Sequence, residues 1–353
     1  MMLPLQSNTP SSLKRIPRSI RWVYSVVCAA ILAATLSALP MAAKAQSPDP
    51  LPSWNDGQSK RDIIAFVEAV TTVGSPDFVP VDQRVATFDN DGTLWVEQPV
   101  YTQGFFAVDR LKEMAAQNPP WASTKPYKTI VSSGLKGLSG IDEAGLAQII
   151  GVTHSGMTPP EFSAIVDKWL ASARHPRFDR PFTELTYKPM LEVLAYFRAN
   201  GFKTYIVTGG GVDFVRAFAE KAYGIPPEQV IGSRIKLTFQ MQDSQPELFR
   251  QDKIDFIDDG PGKPIGIEQG IGRRPIAAFG NSDGDLQMLQ WTVEAGKRRL
   301  GVVVHHTDAE REYAYDRNSK VGHLDVALDA AKLDSWTVVD MKADWKTIFP
   351  WEK

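Results

Sequence analysis

The chain has 353 residues, with 39 Lys and Arg, 41 Asp and Glu, and one cysteine. Its first 45 residues carry five basic and no acidic side chains, which leaves 34 basic and 41 acidic side chains in the remainder. This acidic balance does not favour nucleic acid or an anionic membrane surface as a partner. A single cysteine excludes intrachain disulfides and cysteine-rich zinc sites.

Residues 1–45 have the layout of a secretory signal peptide. Four basic side chains precede an apolar run over residues 22–39, and Ala43-Lys44-Ala45 offers a small-x-small cleavage site. The run spans 18 residues, so an uncleaved membrane anchor is the alternative. We expect cleavage after Ala45, loss of Cys28, export to a periplasm and no stable membrane association of the mature chain.

The elements predicted beyond the signal peptide alternate between helices and strands. Residues 46–56 are rich in Pro and Ser and predict an exposed lead-in. Apolar spacing predicts helices over residues 62–72, 105–116, 144–150, 160–173, 183–200 and 212–223. Short apolar or alternating runs predict strands over residues 85–88, 202–207, 235–241, 276–279 and 302–304, the third as part of a hairpin.

This alternation predicts an α/β fold with a doubly wound, Rossmann-like parallel sheet. The stretch after Trp95 contains only helical patterns for about ninety residues, which indicates an inserted helical domain. We therefore predict a core formed by residues 46–94 and 185–353, and a helical cap formed by residues 95–184.

Two carboxylates directly follow the first predicted strand, in the sequence Phe88-Asp89-Asn90-Asp91-Gly92-Thr93. The carboxyl ends of the strands are where open α/β sheets bind their ligands. Two acids close together raise each other's pKa unless a counter-charge is present, and a hard divalent cation is the usual one. The pair predicts a Mg²⁺ site, although a solvated turn is the alternative.

The sequence Asp-x-Asp-Gly-Thr after an apolar strand resembles the nucleophile motif of the haloacid dehalogenase superfamily. The resemblance is to the phosphatases of that superfamily, which include phosphoserine phosphatase-like members. Three further segments occur in the order that this superfamily uses. They are Tyr205-Ile206-Val207-Thr208-Gly209-Gly210, Gly260-Pro261-Gly262-Lys263-Pro264 and Gly280-Asn281-Ser282-Asp283-Gly284-Asp285. The last departs from the commoner pattern, because Asn281 stands where an aspartate is usual.

The resemblance implies a role for each of these residues. Asp89 is the nucleophile and Asp91 the general acid and base, while Thr208, Gly209 and Lys263 bind the phosphate. Lys253 is a rival for the lysine. The implied ligands of Mg²⁺ are Asp89, the backbone carbonyl of Asp91, Asn281, Asp285 and, as a substitute, Asp283.

The resemblance thus implies an exported hydrolase of small phosphomonoesters that acts through an aspartyl-phosphate. Trp95, Glu97 and Tyr101 follow the nucleophile turn, and an acid beside aromatic residues suits substrates such as phosphocholine or phosphoserine. Glu97 is therefore a candidate substrate-binding residue. The sequence makes no prediction of the oligomeric state, and the adjacent His305 and His306 point to opposite faces of a strand, which disfavours a shared metal.

Two alternatives stay open. Because of Asn281, the chain could be a secreted protein that binds a cation or a phosphorylated ligand without turnover. The second alternative is another reaction on the same core, such as phosphoryl transfer to an acceptor or cleavage of a C–P or C–halogen bond. Asp91 disfavours a dehalogenase. A C–P hydrolase would need a cap lysine, and the candidates are Lys112, Lys125, Lys128, Lys136 and Lys168.

Overall fold

The computed structural model describes residues 49–138 and 140–352, so the predicted signal peptide and Cys28 lie outside the described residues. The helices in the described part are α1 (Gln58–Thr71), α2 (Thr102–Gln117), α3 (Tyr127–Ser133), α4 (Leu135–Leu138), α5 (Glu143–His154), α6 (Pro159–Ser172), α7 (Lys188–Ala199), α8 (Val212–Tyr223), α9 (Gly262–Ile271), α10 (Leu286–Val293), α11 (Val326–Leu333) and α12 (Met341–Asp344). The strands are β1 (Val85–Phe88), β2 (Lys203–Gly211), β3 (Val230–Gln242), β4 (Gln245–Phe256), β5 (Ala277–Gly280), β6 (Leu300–Thr307), β7 (Ala314–Tyr315) and β8 (Thr337–Asp340).

The described strands form one sheet in the order β4-β3-β2-β1-β5-β6-β7, with β8 also paired to β6. The pairs β3/β2, β2/β1, β1/β5, β5/β6 and β6/β8 are parallel, whereas the edge pairs β3/β4 and β6/β7 are antiparallel. The chain runs from β1 outward to one edge and then returns to β5 on the other side. The carboxyl end of β1 is therefore a switch point of the sheet, where ligands bind in such folds.

The core is formed by aromatic side chains beneath this switch point. Phe88 of β1 stacks on Phe279 of β5 with ring centroids 4.4 Å apart, and Phe197 of α7 contacts both rings edge-on. All three side chains are fully buried. Burial of each such ring contributes on the order of 2 kcal/mol to folding, so β1 and the residue that follows it are held firmly in place.

The segment between β1 and α7 contains helices α2 to α6, which confirms the predicted helical insertion. Part of its apolar surface forms a small cluster of its own, which includes Leu111, Ile130 and Ile149. The rest packs against helix α8 of the sheet layer, where Phe106 lies 5.3 Å from Phe214. The boundaries of a separate cap domain at residues 95 and 184 stay a prediction.

The predicted α/β fold with a doubly wound sheet is confirmed, and so is the hairpin at β3 and β4. Two local predictions are wrong. Leu51 and Trp54 of the lead-in are fully buried, and Trp54 packs edge-on against Trp345 near the end of the chain. The helix predicted over residues 183–200 begins only at Lys188.

Backbone pairing explains this late start. Tyr187 donates its N–H to the carbonyl of Leu94, and Val96 donates to the carbonyl of Leu185. The strand-like segment before α7 thereby fixes the chain that leaves the nucleophile turn. Among the described residues, no helix is both long and apolar enough to cross a membrane.

Candidate active site

Asp89 lies in a turn that backbone hydrogen bonds close on all sides. Its N–H donates to the carbonyl of Phe279, and the carbonyl of Asn90 accepts from Leu94. Gly92 has a φ of +73°, and a Cβ at this position would lie 2.1 Å from Asn281 Nδ2. Only glycine fits here, since a side chain would meet both strain and a clash. The glycine of the motif thus brings the nucleophile turn into contact with Asn281.

Lys263 is the lysine of the site. Its Nζ lies 2.6 Å from Asp89 Oδ1, 2.8 Å from Asp285 Oδ1 and 2.8 Å from the carbonyl oxygen of Val207. Burial alone would lower the pKa of Lys263, but the charges of Asp285 and Asp89 outweigh it and raise the pKa. Its rival Lys253 lies on β4 with an exposed side chain. The structure thus places Lys263, and not Lys253, beside Asp89.

Asp89 itself is 7% exposed, and its pKa is raised well above 3.8, first by burial and then by the charge of Asp285, although Lys263 lowers it. Its Oδ1 accepts from Lys263, whereas no described residue donates a hydrogen bond to Oδ2. One oxygen is thus held by a cation and the other is available for reaction.

Asp91 is oriented by an indole. Trp95 Nε1 donates to Asp91 Oδ1 over 2.8 Å, and the Trp95 ring is buried and stacked on Phe218. Burial raises the pKa of Asp91, and the hydrogen bond from Trp95 only partly opposes this. A carboxyl group with a raised pKa is suited to donate a proton. Trp95 therefore supports the reactive turn and does not line an open pocket.

The last residues of β2, before α8 begins, lie against Asp91. A Cβ at Gly210 would lie 3.2 Å from Thr208 Oγ1, 3.3 Å from Gln103 Oε1 and 3.8 Å from Asp91 Oδ2. Thr208 Oγ1 accepts from the N–H of Gly210. Helix α8 starts directly afterwards, at Val212. A helix N-terminus favours anions such as phosphate, so the residues predicted to bind phosphate lie next to the predicted acid, and the phosphate site stays a prediction.

Gln103 of the insertion also reaches this segment, which the sequence analysis missed. Its Oε1 accepts from the N–H of Gly211 at 2.8 Å, and its Nε2 lies 2.9 Å from His154 Nε2. Burial, Arg250 and Arg110 lower the pKa of His154 to about 3, so this histidine is neutral. Nothing in the local sequence marks Gln103 apart from its place at the start of the first helix after the nucleophile motif.

The two aspartates of the fourth segment, residues 280–285, have different partners. Asp285 Oδ2 accepts from the N–H groups of Asn281 and Ser282, while its Oδ1 faces Lys263. Asp283 Oδ1 accepts instead from the N–H groups of Asp325 and Ala327 at the start of α11. The structure brings Asn281 and Asp285 to Asp89 and Lys263, but it does not bring Asp283 there, because backbone groups of the α11 region hold its carboxylate.

Glu97 is buried next to the nucleophile turn and is 2% exposed. Its Oε1 accepts from Asn281 Nδ2 at 2.6 Å and from the Tyr315 hydroxyl at 2.8 Å. Burial raises the pKa of Glu97 well above 4.5, and the charges of Asp91 and Asp89 raise it further. The oxygen predicted to meet a substrate thus has two partners from the protein. Tyr315 is a further residue that the sequence did not single out.

The histidine pair has separate contacts. His306 Nε2 lies 2.7 Å from the carbonyl oxygen of Gly92, and its Nδ1 lies 3.1 Å from the buried Glu312. His305 Nε2 lies 3.4 Å from Asp316 instead. His306 therefore contacts the backbone of the nucleophile turn at Gly92. The strand pattern alone did not indicate this role.

The atoms around Asp89 suit a hard cation chemically. Carboxylate oxygens, the carbonyl of Asp91 and the amide of Asn281 are the donors that Mg²⁺ prefers. Within residues 49–138 and 140–352, no group of three His, Cys, Asp or Glu side chains is arranged to hold a metal ion. The fit therefore rests on the type of donor and on the two buried carboxyl groups of Asp89 and Glu97.

Comparison with known proteins agrees with this arrangement. The profile of the haloacid dehalogenase-like hydrolase family matches residues 86–290, which is more than half of the chain and includes Asp89, Asp91, Thr208, Lys263, Asn281 and Asp285. The chain belongs to this family. The resemblance drawn from the four sequence segments is thereby confirmed, and with it the prediction of a hydrolase.

One solved structure shows the same fold, and two others are more distantly similar. A protein of unknown function from Anaerococcus prevotii DSM 20548 is 15% identical with a TM-score of 0.59, over 85% of this chain and 97% of the other. A protein of unknown function from Bordetella pertussis Tohama I is 17% identical with a TM-score of 0.47, over 73% and 99%. A phosphoserine phosphohydrolase-like protein from Francisella tularensis is 17% identical with a TM-score of 0.34, over 63% and 87%. No curated protein matches the chain significantly.

Proposed function

We propose that this member of the family is an exported, Mg²⁺-dependent phosphomonoesterase that acts through an aspartyl-phosphate on Asp89. The observation that carries the proposal is the buried Lys263, which lies between Asp89 and Asp285 and contacts the end of β2. A fixed cation beside a carboxylate nucleophile and a helix N-terminus is an arrangement for attack on a dianionic phosphate, whose charge would otherwise repel the nucleophile.

The first step follows from the contacts of the two acids. Asp89 attacks phosphorus through the oxygen that Lys263 does not hold, and the bond from phosphorus to the ester oxygen breaks. Asp91, oriented by Trp95, gives its proton to the leaving alcohol. Lys263, Thr208 and Gly209 hold the phosphoryl oxygens at the N-terminus of α8.

The second step uses the same residues. Asp91, now ionised, takes a proton from water, and that water attacks phosphorus. The bond between phosphorus and Asp89 breaks, phosphate leaves and the carboxylate of Asp89 is restored. Mg²⁺, held by Asp89, the carbonyl of Asp91 and the Asn281 region, would neutralise charge on the phosphoryl group.

The helical insertion is proposed to act as a cap over this site. Gln103 supports this role, since it contacts both the N-terminus of α8 and His154 of the insertion. A cap excludes water and contacts the leaving group, so we place substrate choice in the insertion.

Amine-bearing substrates such as phosphocholine and phosphoserine stay within the proposal, but on weaker grounds than the sequence provided. Glu97 Oε1 is occupied by Asn281 and Tyr315, and Trp95 is buried against Phe218. Trp95 is therefore not exposed to a substrate, and one carboxylate oxygen of Glu97 already has two partners from the protein. A panel of small phosphomonoesters is the direct way to compare them.

The test is hydrolysis of p-nitrophenyl phosphate by residues 46–353, with and without EDTA, followed by restoration with Mg²⁺. We expect activity to disappear with the metal and to return with it. Activity that survives complete metal removal contradicts the mechanism. Tight binding of phosphate esters without release of phosphate would support the non-catalytic alternative instead.

Export is proposed from the basic and apolar pattern of residues 1–45, which lie outside the described residues. Expression of the full chain in a Gram-negative host, followed by mass spectrometry of the periplasmic fraction, tests it. We expect a mature N-terminus at Gln46. Recovery of the intact chain in the membrane fraction would support the anchor.

A further inference from the structure

The metal-binding segment of this chain has a neutral side chain where its family pattern has an acid. Asn281 is 1% exposed, and both ends of its amide have partners. Its Oδ1 accepts from the Thr93 hydroxyl at 3.0 Å, and its Nδ2 donates to Glu97 Oε1 at 2.6 Å. An ionised carboxylate only accepts hydrogen bonds, so Asn281 must turn its nitrogen toward Glu97. Its oxygen is then directed to Thr93.

Glu97 is the acidic residue that lies beside Asn281 at the nucleophile turn. A Cβ at Gly92 would lie 2.1 Å from Asn281 Nδ2 and 2.4 Å from Glu97 Oε1, so both side chains touch the nucleophile turn at one residue. Asn281 and Tyr315 both donate to Oε1. In the described part of the chain, nothing donates a hydrogen bond to Oε2. Glu97 is therefore a buried carboxylate whose orientation is fixed through one oxygen while the other is unused.

We propose that Glu97 supplies the carboxylate ligand of the catalytic cation that Asn281 cannot supply, and that Asn281 orients Glu97. The inference rests on the proposed metal-dependent function. An amide oxygen offers the cation no net charge, whereas Glu97 beside Asp89 offers two negative charges to a divalent ion. In this arrangement the acid lies on the segment after β1, and its hydrogen bond to Asn281 joins it to the segment after β5.

The experiment measures binding of Mn²⁺, as a stand-in for Mg²⁺, by electron paramagnetic resonance without substrate. Glu97→Gln should weaken binding at least tenfold. Glu268→Gln, which removes an exposed carboxylate on α9, is the matched control and should bind as the unmodified protein does. Equal affinity of Glu97→Gln and the control would overturn the proposal.

A double variant that exchanges the acid and the amide distinguishes a metal ligand from a residue with only a structural role. The double variant Glu97→Gln with Asn281→Asp places the acid where the family pattern has it, and it should recover most of the lost affinity. A structural role of Glu97 toward Tyr315 predicts no recovery. Failure of the double variant to bind more tightly than Glu97→Gln therefore contradicts the proposal.

If Glu97→Gln does not fold, the proposal is tested on the unmodified protein by isotope labelling. With ¹³C placed only in glutamate side-chain carboxyls, directly bound Mn²⁺ should show a ¹³C hyperfine coupling, and its absence overturns the proposal. Failure of the proposed function has a different signature, because the unmodified protein would then bind no divalent cation. If Glu97→Gln changes neither metal binding nor metal-dependent hydrolysis, only the inference about Glu97 is contradicted.

Discussion

Lys263 Nζ lies 2.6 Å from Asp89 Oδ1, and both side chains are buried. The same nitrogen lies 2.8 Å from Asp285, so one cation serves two carboxylates. Removal of such a cation leaves uncompensated charge in the protein interior, which is costly both for folding and for binding of a phosphate.

Lys263→Met should accordingly abolish turnover and lower the free energy of unfolding by about 3–5 kcal/mol. Addition of Asp285→Asn should return part of the stability but none of the activity, since one of the two unpaired charges is removed. Urea unfolding at neutral pH measures both effects. A stability loss below about 1 kcal/mol for Lys263→Met, typical of an exposed ion pair, would contradict the buried arrangement.

Asp91→Asn should slow turnover by roughly 10² to 10⁴, the usual contribution of general acid–base help. With p-nitrophenyl phosphate the first step needs little protonation, so the second step should become slower and the aspartyl-phosphate should accumulate. Peptide mapping after acid quenching detects phosphate on the Asp89 peptide. Asp89→Asn is the control, which should be inactive and unlabelled. An unlabelled Asp91→Asn protein would show that nucleophile and acid are assigned wrongly.

Gln103→Glu should raise KM for phosphomonoesters about tenfold or more, a cost of about 1.4 kcal/mol. The reason is a negative charge placed next to the N–H of Gly211, where the phosphate is expected. Gln117→Glu adds the same charge at the exposed end of helix α2 and should leave KM unchanged. Steady-state kinetics compares the two, and equal KM values would place the phosphate elsewhere.

Stability of the metal-free protein should depend on pH through Glu97. Its pKa in the folded state is raised above 4.5, mainly by burial. Protonated Glu97 therefore contributes fully to the free energy of unfolding below the pKa that it has in the unfolded chain. This contribution is lost as the pH rises through the pKa that Glu97 has in the folded protein. The slope contributed by one group is at most about 1.4 kcal/mol per pH unit. Thermal melts in EDTA between pH 5 and 8 should show a falling Tm.

Glu97→Gln should flatten this dependence, since an amide does not titrate in that range. Glu268→Gln should not change it. Asp89 and Asp91, whose pKa values are also raised by burial, keep part of the slope in both variants. A pH dependence of Glu97→Gln identical to that of the unmodified protein would assign the titration to other groups.

Several features were accessible from the sequence because they depend on neighbours along the chain. The apolar strand before Asp89, the turn glycine at Gly92 and the helix that follows Gly211 are local patterns with a known geometry. The order of the four segments indicated the family, and order and spacing together placed Lys263 among the candidates. Each of these predictions concerns a residue whose role is set within a few positions of its own segment.

Only the tertiary structure decided which side chains share the interior near Asp89. Lys263 was preferred to Lys253 by a contact across 174 positions. Gln103 and His306 entered the site from elements with no motif, and Asp283 left it because helix α11 holds its carboxylate. The pairing of Glu97 with Asn281 joins two loops 184 positions apart. Such contacts arise when parallel strands bring their carboxyl ends to one edge of a sheet, and burial then sets the charge of each acid, which no local pattern records.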